Sequence, residues 1–551
     1  MCGCGSWLNS GAGGAQQRKR RAVVRIDGWL TCLAVVTLAA AIYFHSFGTV
    51  PYYLGGDEAN LAIQAHSLAT TGRDLSGRFL PLFVNVEDPL PEFQGNRWWQ
   101  PLLVYFDAVL LTVLPFSEWT VRLPLVLLAL ANVVLMFAVA RQWFPAAGYP
   151  ALSALMLVLT PAHLIFARQA ADYFAPLTFS LLWLWCLTRF LATGGRRWAL
   201  ATGFALGAGT YSHISAWAFM PMFFVLTIAT VVHARRATWR SLASIAIAFV
   251  LPIALFVPWL MREPQMVNEL IGSYGVMERN LTPLQSLRDK LNYNNIQDKV
   301  AIYWNHFNPS FLFLTGGVHP AQATREVGVF LLPVAVFLAV GLYALIGTLP
   351  TSSASVLLIG GFLLAPIPAT LRGEGAAISR MLVILPFALL IAVHGVAVML
   401  RSARLAVRGA AIVLLALMPL QYGAFLRDYF GDYQVRSAHR YDSMNFRDVA
   451  RHMIERDAVQ AVPAFYLSSN ADDPGARWRF YLVKHKREDL WPRSFGFDPG
   501  RPDLSRVPAG SLVVIYKADP AIGTLVDSGR CVVDGEIPHI GGSPSTVVLR
   551  C

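Results

Sequence analysis

The chain has 551 residues, 55% of them apolar and only 14% charged, with a formal net charge of +12; its mean hydropathy is +0.48. A soluble domain carries about 25% charged residues. The deficit, with repeated apolar runs of roughly 18 residues or more, excludes an ordinary soluble enzyme and predicts a polytopic α-helical membrane protein.

In chain order, Arg18, Lys19, Arg20, Arg21 and Arg25 precede an apolar stretch of about 20 residues. This is longer than a secretory signal core and no small-x-small site follows, so residues 1–27 are predicted as a cytoplasmic tail and the first helix as retained. Apolar spans are predicted at about 28–48, 119–140, 149–166, 174–191, 199–213, 214–232, 241–260, 327–347, 354–371, 381–400 and 409–425. With these crossings, about 11 in all, the clusters at Arg141, Arg189 to Arg197, Arg235 to Arg240 and Arg401 to Arg408 share the cytoplasmic side with the tail, as the positive-inside rule asks. Residues 101–117 are apolar enough to span, but counting them would invert every later cluster. They are predicted to lie in or dip into the outer leaflet, anchored by Trp98 and Trp99.

The expected organisation is therefore a membrane domain over 28–425, with outer loops at about 49–118 and 261–326, and an extracytoplasmic α/β domain over 426–551. Within the latter, Ala464 to Leu467, Leu512 to Tyr516 and Thr546 to Leu549 read as strands and Asn445 to Arg456 as a helix. The basic residues form no sustained stripe, so nucleic acid is not an expected partner; membrane lipids are.

The polar exceptions carry the chemistry. Asp57 and Glu58 stand in the first stretch outside the membrane anchor, and Asp172 stands with Arg168 and Tyr173 at the end of an apolar span. Carboxylates at such places are costly to bury and mark a base or an electrostatic anchor; ordinary interfacial charge is the alternative. Arg168, Arg325, Arg372 and Arg380 are outer-face candidates for a phosphate, whose oxygens a planar guanidinium pairs two at a time; snorkelling to lipid is their other reading. Tyr211 and His213 fall at a helix break, where polar groups line a cavity, and a satisfied core histidine is the competing assignment. The cysteines show no metal spacing, and no cofactor is called for; a divalent metal on Asp172 and His213 stays open. Cys531 and Cys551 are expected to be linked if the tail faces an oxidising compartment, with two free thiols as the alternative.

Several stretches resemble a known group: Gly56-Asp57-Glu58 followed by Ala65 to Arg73; Pro101 to Tyr105; Val121-Arg122-Leu123-Pro124; Ala167 to Asp172; Gly209 to Ala216; Phe307 to Phe313; and Pro366 to Leu371. Their order is similar to that of the GT-C membrane glycosyltransferases, the PMT-like group containing protein O-mannosyltransferases and aminoarabinose transferases. The resemblance implies the GT-C fold and transfer of a sugar from a polyprenyl-phosphate donor to an acceptor hydroxyl, with inversion, at the outer face of the cytoplasmic membrane. It implies Asp57 as base and Asp172 as a residue that shapes the site and in some relatives helps hold a metal. Gln100 stands where the family often has a Lys before Pro-Pro, which leaves the cation at the donor phosphate unassigned. Hexose, pentose and aminosugar donors stay open, as do protein, lipid and polysaccharide acceptors. A flippase of lipid-linked saccharides and a catalytically silent scaffold are the rival classes; charges gathered at one face and the absence of repeat symmetry weigh against the first.

Overall fold

A computed structural model describes residues 14–86, 89–90, 97–144, 146, 148–273, 285, 288, 292–501, 505, 507–542 and 544–551. The side chains of Arg18 to Arg25 lie outside the described residues. The membrane part is a bundle of apolar helices. Six of them have the length and composition to cross a bilayer: Glu118–Trp143, Asp172–Thr193, Ala216–His233, Trp239–Arg262, Ser353–Arg372 and Leu405–Phe430. Gly148–Val158 and Pro161–Ala167 form a seventh candidate, bent by 60° where Pro161 interrupts the ladder. Gly28–Phe44, Leu332–Gly347 and Ile384–Leu400 are apolar but shorter. Length and composition alone thus stop short of the expected 11.

Glycines set the closest packing. Any Cβ at Gly203 or Gly207 would overlap the backbone of Trp239–Ile253. Small residues of this kind let helices approach where lipid leaves no hydrophobic drive between them.

The segment 101–117 forms the helix Pro101–Leu111. Eleven residues rise about 16 Å, half a hydrocarbon core. Leu102 N–H donates to Tyr211 O, and Glu118, which opens the next helix, pairs with Lys484 of the C-terminal part at 2.6 Å. The segment before it carries regular elements among its described residues. It holds the helix Gly56–Thr71 and a short antiparallel pair, Val84–Asn85 with Trp98–Trp99. Phe311, Leu312 and Phe313 pack inside the core.

The C-terminal part is a five-stranded mixed sheet with helices. In spatial order its strands are Ser494–Phe497, Phe465–Ser468, Leu512–Tyr516, Pro544–Arg550 and Val532–Pro538. The first three run parallel and the last three antiparallel. Leu512 to Ile515 are all buried, as befits a central strand covered on both faces. The helix Phe446–Val459 is capped by the Asn445 side chain, which accepts from Asp448 N–H. The strands Ser494–Phe497 and Val532–Pro538 and the helices Tyr433–Tyr441 and Pro474–Lys484 add to the elements read from sequence.

Register Val532↔Arg550 brings the flanking Cys531 and Cys551 face to face, and they are joined as a disulfide. Closing a loop of 20 residues restrains the unfolded chain by about 3 kcal/mol. Replacing both cysteines by serine is expected to lower the melting temperature of the purified protein. Alkylation of the denatured, non-reduced wild type should leave both thiols unlabelled, and labelling of both would refute the link.

Candidate active site

The site grows from a buried ion pair. Glu58 lies one turn into the helix Gly56–Thr71 and points into the core. Arg122 meets it with two hydrogen bonds, Nε to Oε1 and Nη2 to Oε2, both 2.8 Å. Gly55 N–H and Ala170 N–H complete the shell at 2.8 Å each. Burial opposes the charge on Glu58, yet the Arg122 guanidinium and the two amides hold its carboxyl below the usual range. Arg122 also binds Pro51 O and Tyr53 O. The pair therefore ties four chain segments together at the helix start. With its lone pairs engaged, Glu58 acts as an anchor, not as a proton carrier.

Arg168 has a similar fate. It is fully buried, and its guanidinium donates to the carbonyls of Tyr43, His45, Ser46 and Val50 at 2.6–3.3 Å. Five bonds to one stretch of backbone leave no fork for a donor phosphate, which corrects the sequence expectation.

Asp57 turns the other way. Adjacent helical positions diverge by about 100°, so Glu58 enters the core while Asp57 faces a cavity of about 610 Å³. Its side chain is 56% exposed to that space. The wall also presents Arg97, Tyr173, Arg380, Arg440, Asp472 and Asp473. Arg97 Nη1 stands 3.9 Å from Asp57 Oδ1, while its Nη2 bonds Asp473 Oδ1 at 2.5 Å. Enclosure by protein, then the negative charges of Asp473 and Asp472, push the Asp57 pKa up to about 6 against the pull of Arg97 and Arg477.

Asp172 opens a short helical turn behind Tyr173, within Coulombic reach of both Asp57 and Arg380. His213 Nε2 lies 3.8 Å from Asp172 Oδ1, and its Nδ1 is 2.6 Å from Ser215 Oγ. Among the described residues no group of three or more His, Cys, Asp or Glu is arranged to hold a metal. Glu374 bridges Arg372 at 3.1 Å and Arg380 at 2.8 Å; Glu374 and Arg380 line the cavity.

Three other expectations are redirected. Tyr211 packs in an aromatic cluster with Phe83 and Phe256, and its hydroxyl donates to Pro252 O at 2.8 Å. Gln100 is 1% exposed at the start of the helix Pro101–Leu111 and does not reach the cavity wall. Arg325 is exposed and off the wall as well. Their places are taken by Arg97, Arg440, Asp472 and Asp473. Arg97 sits three positions before Gln100, so a search for the nearest cation, not for a fixed motif position, would have found it. The other three lie in the C-terminal domain, where only the tertiary fold brings them to Asp57.

A model of the family described as Dolichyl-phosphate-mannose-protein mannosyltransferase matches residues 100–261, which include Asp172 and His213. The solved structure of ArnT from Cupriavidus metallidurans in the apo state superposes with a TM-score of 0.58 at 15% identity, covering 95% of this chain and 98% of that one. The two chains share one fold. The same ArnT bound to undecaprenyl phosphate matches with a TM-score of 0.53 at 14% identity and the same coverage. No curated protein matches the sequence. At 95% coverage the match takes in most of the C-terminal part as well as the helical bundle.

Proposed function

We propose that this multi-pass protein is a glycosyltransferase that moves a sugar from a polyprenyl-phosphate donor to an acceptor hydroxyl, with inversion, at the outer face of the cytoplasmic membrane. The observation that carries this reading is Asp57: a carboxylate of raised basicity, open to a cavity whose wall also offers Arg380 and Arg440. The volume suits a sugar phosphate head group. The ArnT fold, whose structure holds undecaprenyl phosphate, supports a lipid-linked donor.

The chemistry follows from the residue types. Asp57 takes the proton of the acceptor hydroxyl as its oxygen bonds the anomeric carbon. The bond from that carbon to the phosphate oxygen breaks, and the lipid phosphate leaves with the electron pair. A single displacement inverts the anomeric centre. Arg380, tethered through Nε by Glu374, and Arg440 match the charge on the departing phosphate. Asp172 orders the floor behind Tyr173. Orientation follows the basic loops: Arg196, Arg240 and Arg404 lie at helix starts, and the positive-inside rule assigns them to the cytoplasm.

The test is a panel of polyprenyl-phosphate sugars, hexose, pentose and aminosugar, added to purified protein with release of free lipid phosphate followed. One donor is expected to be consumed; no release with any donor, with and without peptide, lipid and polysaccharide acceptors, sinks the reading. With the consumed donor, kcat/KM should fall about tenfold per pH unit below about 6, because the base form of Asp57 is lost there. A flat profile from pH 5 to 7 contradicts the role of Asp57.

A further inference from the structure

The C-terminal domain docks at the start of the helix that carries Asp57. Arg477 donates to Leu54 O and to Tyr441 O, Tyr53 OH accepts from Ile540 N–H at 2.9 Å, and Lys484 pairs with Glu118. The approach is so close that a Cβ on Gly56 would stand 2.6 Å from Asp473 Oδ2, which explains glycine there. Asp473 itself occupies the N-cap of the helix Pro474–Lys484. An aspartate in that position ordinarily accepts from its own helix. This one makes no capping bond, holds a left-handed backbone at φ +47°, and instead binds Arg97 across the domain boundary.

We infer that Asp473 is a positioning residue for the transfer: it draws the Arg97 guanidinium away from Asp57, so that the Asp57 carboxylate stays open to the cavity and free to take a proton. The inference rests on the reading of Asp57 as the base. The geometry carries it. One guanidinium serves two carboxylates, at 2.5 Å to Asp473 and 3.9 Å to Asp57. Remove the charge at Asp473, and Arg97 has only Asp57 as a close anionic partner from its own side of the boundary. A direct pair would cover the oxygen that the acceptor needs and weaken it as a base. The charged and titratable groups around Asp57 are Arg97 from the strand approach, Asp472, Asp473, Arg477 and Arg440 from the C-terminal domain, Asp172 with Tyr173 from the short turn, and His319, Glu374 and Arg380 on the cavity wall. Among the described residues, Asp473 is the side chain hydrogen-bonded to the Arg97 guanidinium. The appended domain is thus part of the working site, not a passive cap.

The test measures the protonation of Asp57 without turnover. Full-length protein in detergent is labelled with a carbodiimide and an amine across pH 4–8, and modification of Asp57 is read by peptide mass spectrometry. The wild-type midpoint is expected near pH 6. Asp473→Asn should lower it by about one unit, a tenfold change in labelling at a fixed pH above the midpoint. In an Arg97→Gln background the same substitution keeps the direct Coulombic part of the shift and loses the part that runs through Arg97, so it should move the midpoint less than in wild type. Arg97→Gln alone should raise the midpoint, which keeps the test alive if Asp473→Asn fails to fold. An unchanged midpoint in Asp473→Asn, equal shifts in both backgrounds, or no rise in Arg97→Gln overturns the inference. An active Asp57→Asn enzyme removes the transfer reading and leaves these midpoints as they are, so the two failures are separable.

Discussion

Asp57→Asn is expected to lower sugar transfer by about 10²- to 10⁴-fold, the range of a lost general base, while the protein inserts and folds normally. The substitution keeps the shape of the side chain and removes only its capacity to take a proton. It touches no buried partner, because the Asp57 side chain looks into the cavity. The sign of the stability effect is opposite to that of a paired carboxylate. The folded-state pKa is raised, so the folded chain binds the proton more tightly than the unfolded one, and stability from this group falls as pH rises towards about 6 and stays lost above it. At pH 7.5 the asparagine variant should melt no lower than wild type. Donor turnover and a melting curve on the same preparation check both halves, and wild-type turnover in the variant would remove Asp57 from the chemistry.

Arg122→Ala should do the reverse. It strands the Glu58 carboxylate in a site where that side chain is 5% exposed. Breaking a buried pair from one side costs about 3–5 kcal/mol, a large share of the roughly 5–15 kcal/mol that holds a folded chain. The variant is expected to aggregate or to melt far below wild type. A compensated pair, Glu58→Leu with Arg122→Met, should recover much of that stability, since no charge is then left unpaired. It should not recover transfer, because the helix start that aims Asp57 has lost its ties to Pro51, Tyr53 and Ala170. Thermal unfolding in detergent, read beside donor turnover, separates the two effects. Equal melting of Arg122→Ala and wild type would contradict this account of the pair.

The contrast between Asp57 and Glu58 shows how far the chain could be read beforehand. Composition and hydropathy suffice for a helical membrane protein, because burial in lipid imposes long apolar runs on every span. The Asp57-Glu58 pair was visible for the same reason, as an exception to that pattern. Which of the two faces the cavity was not legible in the pattern itself, and only the resemblance pointed to Asp57, since the facing depends on a rotation of about 100° about a helix whose start is tied by Arg122, more than sixty positions away. Arg168 misled because a guanidinium near a membrane surface looks the same whether it faces a phosphate or clasps five carbonyl bonds. Gln100 is buried off the cavity wall, while Arg97, three positions earlier, is a cation that lines it. Asp472, Asp473 and Arg440 had no local signature at all. Their relevance comes from domain docking, which no periodicity records.

That docking has a consequence for the order in which the protein is made. Arg477 and Leu54 are bonded across 423 positions of chain. A ribosome builds from the N-terminus, so Asp57 emerges early and its partners from 472 onward emerge only after every candidate span has been synthesised. The nascent protein therefore passes most of its biogenesis as a membrane bundle with an open, unfinished cleft. Its Arg97 and Asp57 have no domain between them to settle their charge until the last helices and strands fold. Completion of the site is then a late event, tied to delivery of the C-terminal domain to the correct side of the bilayer. A chain that fails in that delivery also lacks the residues that finish its cleft, and so carries its own check on assembly.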